Sequence, residues 1–98
     1  QYTAFESKES KQVIQKVFAI FDSKAEAFLP PFQQPTVGMA IRAFESAATN
    51  AQHDFCRFPG DYTLFEIGEW NQIEGLFVNL EAKVNLGTAL QFQNHIGE

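Results

Sequence analysis

A chain of 98 residues has room for one domain and one hydrophobic core. Its 45% hydrophobic content is that of a folded globular protein and excludes a disordered chain. A net charge of −5 argues against tight non-specific nucleic-acid binding, which needs a basic footprint to release counterions from phosphate. The imbalance lies in one half. Residues 1–49 hold five acids and five bases, whereas residues 50–98 hold seven acids against Arg57 and Lys83. A local basic patch in the first half is therefore compatible with the acidic total.

Phe is the unusual residue, with 11 copies. Large aromatics bury much area per residue and help a short chain complete a core; they also serve as stacking platforms for nucleobases. The single cysteine, Cys56, excludes an internal disulfide and a CxxC metal motif, and fits a reducing cytoplasm. No apolar stretch reaches bilayer-spanning length and no charged-then-apolar leader is visible, so no membrane association is expected.

Residues 1–12 are polar and charge-rich, with Tyr2 and Phe5 as the large apolar side chains. They read as an N-terminal extension, either a short helix or a loose tail, ahead of a single domain over 13–98. Residues 13–21 (VIQKVFAIF) are β-branched and aromatic without Gly or Pro, which predicts a strand buried on both faces at its VFAIF end. Asp22-Ser23-Lys24 is turn chemistry, and residues 25–29 read as a second short strand or a loop. Pro30, Pro31 and Pro35 then hold the chain extended.

Thr36 precedes Val37, Ile41, Phe44 and Ala48, which recur at the spacing of one helical face. This predicts a main helix over 36–50 with Thr36 as its N-cap. Pro59-Gly60-Asp61 is a turn, and Tyr62–Ile67 a strand. Gly68 to Gly75 contains a reversal, and Leu76–Leu80 returns as the second arm of a hairpin. Residues 86–92 predict a short closing helix or an edge segment. The expected fold class is α+β: an antiparallel sheet of three or four strands against one main helix. Its core is drawn from Val37, Ile41, Phe44, Val17, Phe18, Ile20, Leu64, Phe65, Ile67, Leu76 and Val78.

Catalytic templates find no foothold. Cys56 and His53 are three residues apart, but a nucleophilic cysteine needs a base in reach and a third group to orient it. His53, Asp54 and Cys56 fall short of a four-ligand metal set, and His95 has no partner at metal spacing. No GxGxxG, GxxxxGK[ST] or GxSxG occurs. No enzyme activity and no cofactor are expected.

Two surfaces remain as candidates. Lys16, Lys24, Arg42 and Arg57, interleaved with Phe32 and Phe58, combine phosphate-neutralising cations with base-stacking rings, which is how single strands are held. Lys24, Arg42, Arg57 and Phe58 are its sharpest members. At the hairpin, Glu66, Glu69 and Glu74 surround Trp70, an acidic loop with an aromatic anchor suited to a protein partner. The bland alternatives are solvated carboxylates and a Trp70 folded back onto the sheet.

Taken together, FAIFDSKAEAFLPPF, PTVGMAIRAFESA, DFCRFPGDYTLFEIGEW and LGTALQF resemble the small nonstructural protein of gokushovirus-type microviruses, which are single-stranded DNA bacteriophages. The similarity covers roughly residues 16–92. It implies a phage protein of the host cytoplasm, described at family level as DNA-binding or as an accessory to viral single-strand DNA synthesis. The matching basic positions are Lys24 in the FDSKA turn, Arg42 in the AIRAF helix and Arg57 in FCRFPGDY. The expected function is a non-enzymatic accessory of phage DNA replication or packaging, acting through single-stranded DNA, the viral replication initiator, or both. The alternative is an acidic interaction protein that redirects a host protein. A chain this short and apolar also leads us to expect a homodimer.

Overall fold

Strand β1 (Ile14–Asp22) runs through the middle of the molecule, and its alternating side chains define the two sides of the sheet. The computed structural model describes residues 14–96, with side chains to residue 93; the extension expected at residues 1–12 lies outside the described residues. On one edge of β1 pair two short strands, β2 (Ala27–Phe28) against Phe21–Asp22 and β3 (Phe32–Gln34) against Lys16–Phe18. On the other edge lies β4 (Tyr62–Asn71), followed outward by β5 (Leu76–Thr88). All pairings are antiparallel, so the described residues form a five-stranded sheet rather than one of three or four. The additional strand comes from the proline-flanked segment: Pro31 and Pro35 cannot donate to a ladder, yet the three residues between them pair at an edge.

The main helix, α1 (Val37–Ala48), starts where the sequence predicts. Thr36 is extended, and its hydroxyl accepts a hydrogen bond from the Met39 amide at 3.1 Å, satisfying one otherwise open N–H of the first turn. A four-residue helix α2 (Asp54–Arg57), capped by the His53 imidazole, and a 3-10 turn at Pro59–Asp61 lead into β4. Residues 86–92 divide between the end of β5 and the start of α3 (Ala89–Ile96), which closes the domain. The Gln93 side-chain amide donates to the carbonyls of Ala48 and Cys56 at 2.7 and 3.0 Å, tying α3 to the ends of α1 and α2.

The helices cover one side of the sheet. There Phe18, Ile20 and Leu64 meet Ala40, Phe44, Ala48, Phe55 and Ala89 in a single buried cluster. The Phe44 ring lies edge-on to Phe55 and Phe92, at 5.4 and 5.7 Å. Val37 and Ile41 pack on its margin, as expected. Leu76 and Val78 were expected in the core but are 53% and 55% exposed. The reason is the length of the hairpin. β4 continues to Asn71, so the first residues of β5 lie in an arm beyond the reach of the helices.

The reversal is correspondingly shorter than the expected Gly68–Gly75 span. The Asn71 carboxamide oxygen accepts from the Ile73 and Glu74 amides at 2.9 and 3.0 Å, and Gly75 follows at φ +69°, where a side chain would be strained. Gly68 serves another purpose. A Cβ there would stand 2.5 Å from the Val78 carbonyl oxygen, so its hydrogen lets β5 pass close above it. Both neighbours of β4 are irregular at this point: β1 skips Ile67, and β5 sets Leu80–Lys83 against that one residue.

Candidate nucleic-acid interface

The side of the sheet away from the helices is aromatic and has no helix over it among the described residues. Register places Phe21, Phe28 and Phe65 there: Phe21 pairs with Phe28, and Phe65 with Ala19, one residue out of phase with the core positions Phe18, Ile20 and Leu64. Phe28 bridges its neighbours, with ring centroids 5.0 Å from Phe21 and 5.6 Å from Phe65, both edge-on. It remains 41% exposed. The Lys83 ammonium, carried by the irregular stretch of β5, stands 5.9 Å from the centre of the same ring. Val17 and Ala19 are buried on this side but belong to no part of the helix-covered cluster.

Further along the same side, Trp70 and Phe77 pair across β4 and β5 with ring centroids 4.7 Å apart. Trp70 therefore lies on a strand, half-buried, rather than in the turn. Beside the Trp70–Phe77 pair runs a groove of about 380 Å³, lined by Val17, Pro31, Gly68, Glu69, Phe77 and Asn79 among others.

The expected basic group is only partly brought together. Lys24 is exposed in the turn joining β1 to β2, where the Asp22 carboxylate accepts from its backbone amide. That turn is tied to the 3-10 segment by a 2.9 Å bond from the Ser23 amide to the Asp61 carbonyl, which places it at the same end of the molecule as Arg57 and Phe58. Arg57 leans over the Phe58 ring at 5.8 Å and is ion-paired with Asp54. Phe58 is 54% exposed. Arg42 is exposed on α1, in the helical layer on the opposite side from the aromatic face. Phe32 stacks on Phe18 at 5.7 Å, in the packing beneath the helices.

The expected acidic group does not form one surface. Glu66 faces the helix side, its side chain 13% exposed, and its carboxylate accepts from the Lys16 ammonium at 3.4 Å. Glu69 pairs with Lys16 in register and also borders the groove beside Phe77. Trp70 faces the other way, and Glu74 lies exposed in the turn.

His53 is engaged within its own turn. The imidazole Nδ1 accepts from the Phe55 amide at 3.1 Å, and the ring lies 4.3 Å from that of Phe55. Among the described residues, no three His, Cys, Asp or Glu side chains gather as a metal site would require. Near this end the Tyr62 hydroxyl is held above its usual pKa, first by burial and then by the negative charges of Asp22, Asp54 and Asp61.

What the sequence reading missed is the open aromatic face. Its signal was present in FAIF: Phe18 and Phe21 are three apart, so a strand must send them to opposite sides. Residues 15–92 match the family described as Phage ORF5 protein. The chain belongs to the Phage ORF5 protein family. It is thus a bacteriophage protein, which the resemblance noted in the sequence had implied at that coarser level. No curated protein and no solved structure matches the chain. None of the described helices is long and apolar enough to cross a membrane.

Proposed function

We propose that this phage protein is a non-enzymatic accessory of viral single-stranded DNA replication or packaging, and that it holds the strand on the open face of its sheet. The observation that carries this reading is the Phe21–Phe28–Phe65 group on the side opposite the helices, half-buried but for the exposed central ring of Phe28, which has Lys83 over it. A sheet face bearing exposed aromatics offers every base a π-surface to stack on, whatever the sequence, while neighbouring cations take the phosphates. Lys24 lies one turn away from Phe21 and Phe28, and Arg57 with Phe58 extends the same end. Arg42, on the far side, takes no part.

The acidic total charge sets the strength of such binding. Few phosphates are neutralised, so affinity depends more on stacking than on counterion release, and its salt dependence is shallow. Fluorescence anisotropy of a labelled single strand of roughly 16 nucleotides tests this. Saturable binding is expected, weakened about fivefold or more by Phe28→Ala, since each stacked base contributes about 1–3 kcal/mol. Arg42→Ala is expected to bind like wild type. Absence of binding at low salt, or a loss with Arg42→Ala and none with Phe28→Ala, would contradict the reading. The opposite side of the hairpin arm exposes Ile14, Leu76 and Val78, which supports pairing of two copies there. Sedimentation velocity reads that directly, with Leu76→Lys expected to return a dimer to monomer.

A further inference from the structure

We infer that two copies of this chain join along the outer edge of β5, where Leu76–Leu80 of one protomer pairs antiparallel with the same stretch of its partner about a two-fold axis at Val78. This rests on the pairing of two copies proposed above and fixes how the contact is made. Strand β5 ends the sheet, and its outer edge has no strand beside it among the described residues. The N–H and C=O groups of such an edge are a template for another strand, which proteins blunt with short strands, prolines, charges or bulges. The opposite edge of this sheet is blunted in that way: β2 and β3 have two and three residues, with Pro30 and Pro31 between them. The middle of β5 is guarded too, by the register break over Leu80–Lys83 and the charges of Glu81 and Lys83. Leu76–Asn79 has none of these devices. It keeps an unbroken register against β4 and carries neither charge nor proline.

Exposure decides what fits there. Leu76, Phe77 and Val78 are 53%, 61% and 55% exposed. Successive residues of a strand point to opposite sides, so no body lying on one face of the arm covers all three. A strand added at the edge does, because it stands beside each of them in turn. The same residues select a second copy as that strand. About an axis at Val78, the two Val78 side chains adjoin and Leu76 lies beside Leu80 of the partner subunit, which makes an aliphatic row on one side. On the other side Phe77 lies beside Asn79 of the partner subunit. No charge falls within Leu76–Leu80, so two chains of net charge −5 meet here without opposing like charges in the ladder. Area sets the strength. Five paired residues span about 17 Å, a contact below the roughly 1,000 Å² of a permanent interface, so the dimer is weak and forms at high protein concentration.

The test is sedimentation velocity over a concentration series of wild type, Phe77→Lys and Ile14→Lys, with circular dichroism checking that each is folded. Phe77 stands on the edge strand, whereas Ile14 is 38% exposed on β1, two strands in. Edge pairing predicts that Phe77→Lys weakens the dimer about tenfold or more and that Ile14→Lys leaves it intact. Two arms packed face to face on the Ile14 side would give the reverse. A second readout is covalent. Directly opposed residues of an antiparallel pair have Cα atoms about 4.5–5.5 Å apart, within disulfide reach. Val78→Cys in a Cys56→Ser chain should therefore oxidise to a cross-linked dimer, and Met39→Cys, exposed on α1, should not. If wild type dimerises but responds to Ile14→Lys and not to Phe77→Lys, or gives no cross-link through Val78→Cys, the edge contact is overturned while the pairing of copies stands. A wild type that stays monomeric throughout the series overturns both.

Discussion

Gly68→Ala tests the packing that shapes the open face. The new methyl carbon would stand 2.5 Å from the Val78 carbonyl oxygen and 3.4 Å from both the Val78 carbonyl carbon and the Asn79 Cα. All three are backbone atoms, so no rotamer change relieves the contact, and β5 must lift away from β4. Overpacking of this kind costs about 1–3 kcal/mol. A domain of this size loses roughly 4–8 °C of melting temperature per kcal/mol, so a fall on the order of 10 °C is expected. Gly38→Ala is the matched control. Its methyl meets nothing nearer than the Thr36 hydroxyl at 3.9 Å, on the exposed first turn of α1, where Ala favours the helix by about 0.5–1 kcal/mol. Thermal unfolding by circular dichroism should therefore move the two variants in opposite directions. A Gly68→Ala protein that melts at or above wild type would refute the close approach of the strands.

Three further outcomes follow from the packing and the charges. Phe44→Ala removes a ring that is 2% exposed at the centre of the core, and should cost about 3–5 kcal/mol in urea-denaturation free energy. Thr36→Ala removes the acceptor for the Met39 amide, and should lower stability by about 1 kcal/mol with no change in the slope of the same transition. Tyr62 gives a pH dependence: because its hydroxyl titrates higher in the fold than in the unfolded chain, its contribution is complete below about pH 10 and is lost as pH rises further. Urea midpoints compared on either side of that pH should fall less for Tyr62→Phe than for wild type.

The helix and central strand were legible because local chemistry and periodicity agree there. Thr36 caps, the apolar residues after it recur on one face, and VFAIF has no breaker. The hairpin was harder because two glycines bracket it and do different things. Gly75 turns the chain, whereas Gly68 admits a neighbouring backbone, and composition does not separate those uses. Asn71 was the distinguishing residue, since its side chain organises the turn, but an Asn inside an apparent loop attracts no notice. The extent of β5 was hidden for a different reason. Its residues Leu80–Lys83 break the register against β4, so no alternation runs through them.

The candidate site was legible as a type of chemistry and not as a place. Cations beside aromatics were sought near one another in sequence, which selected Arg57 and Phe58. The larger group joins Phe21, Phe28, Phe65 and Lys83 from four strands, through pairings that sequence spacing does not reveal. Glu66, Glu69 and Trp70 show the converse: close in sequence, they are divided by strand alternation between the two sides of the sheet.

The central claim is that a single strand of DNA lies on the open side of this sheet. Amide chemical-shift mapping during titration with an unlabelled single-stranded oligonucleotide tests it most directly. The account predicts that the largest shifts fall on Phe21, Phe28 and Phe65, with Arg42 and its neighbours on α1 unmoved. Shifts concentrated on α1, with the aromatic face silent, would contradict it.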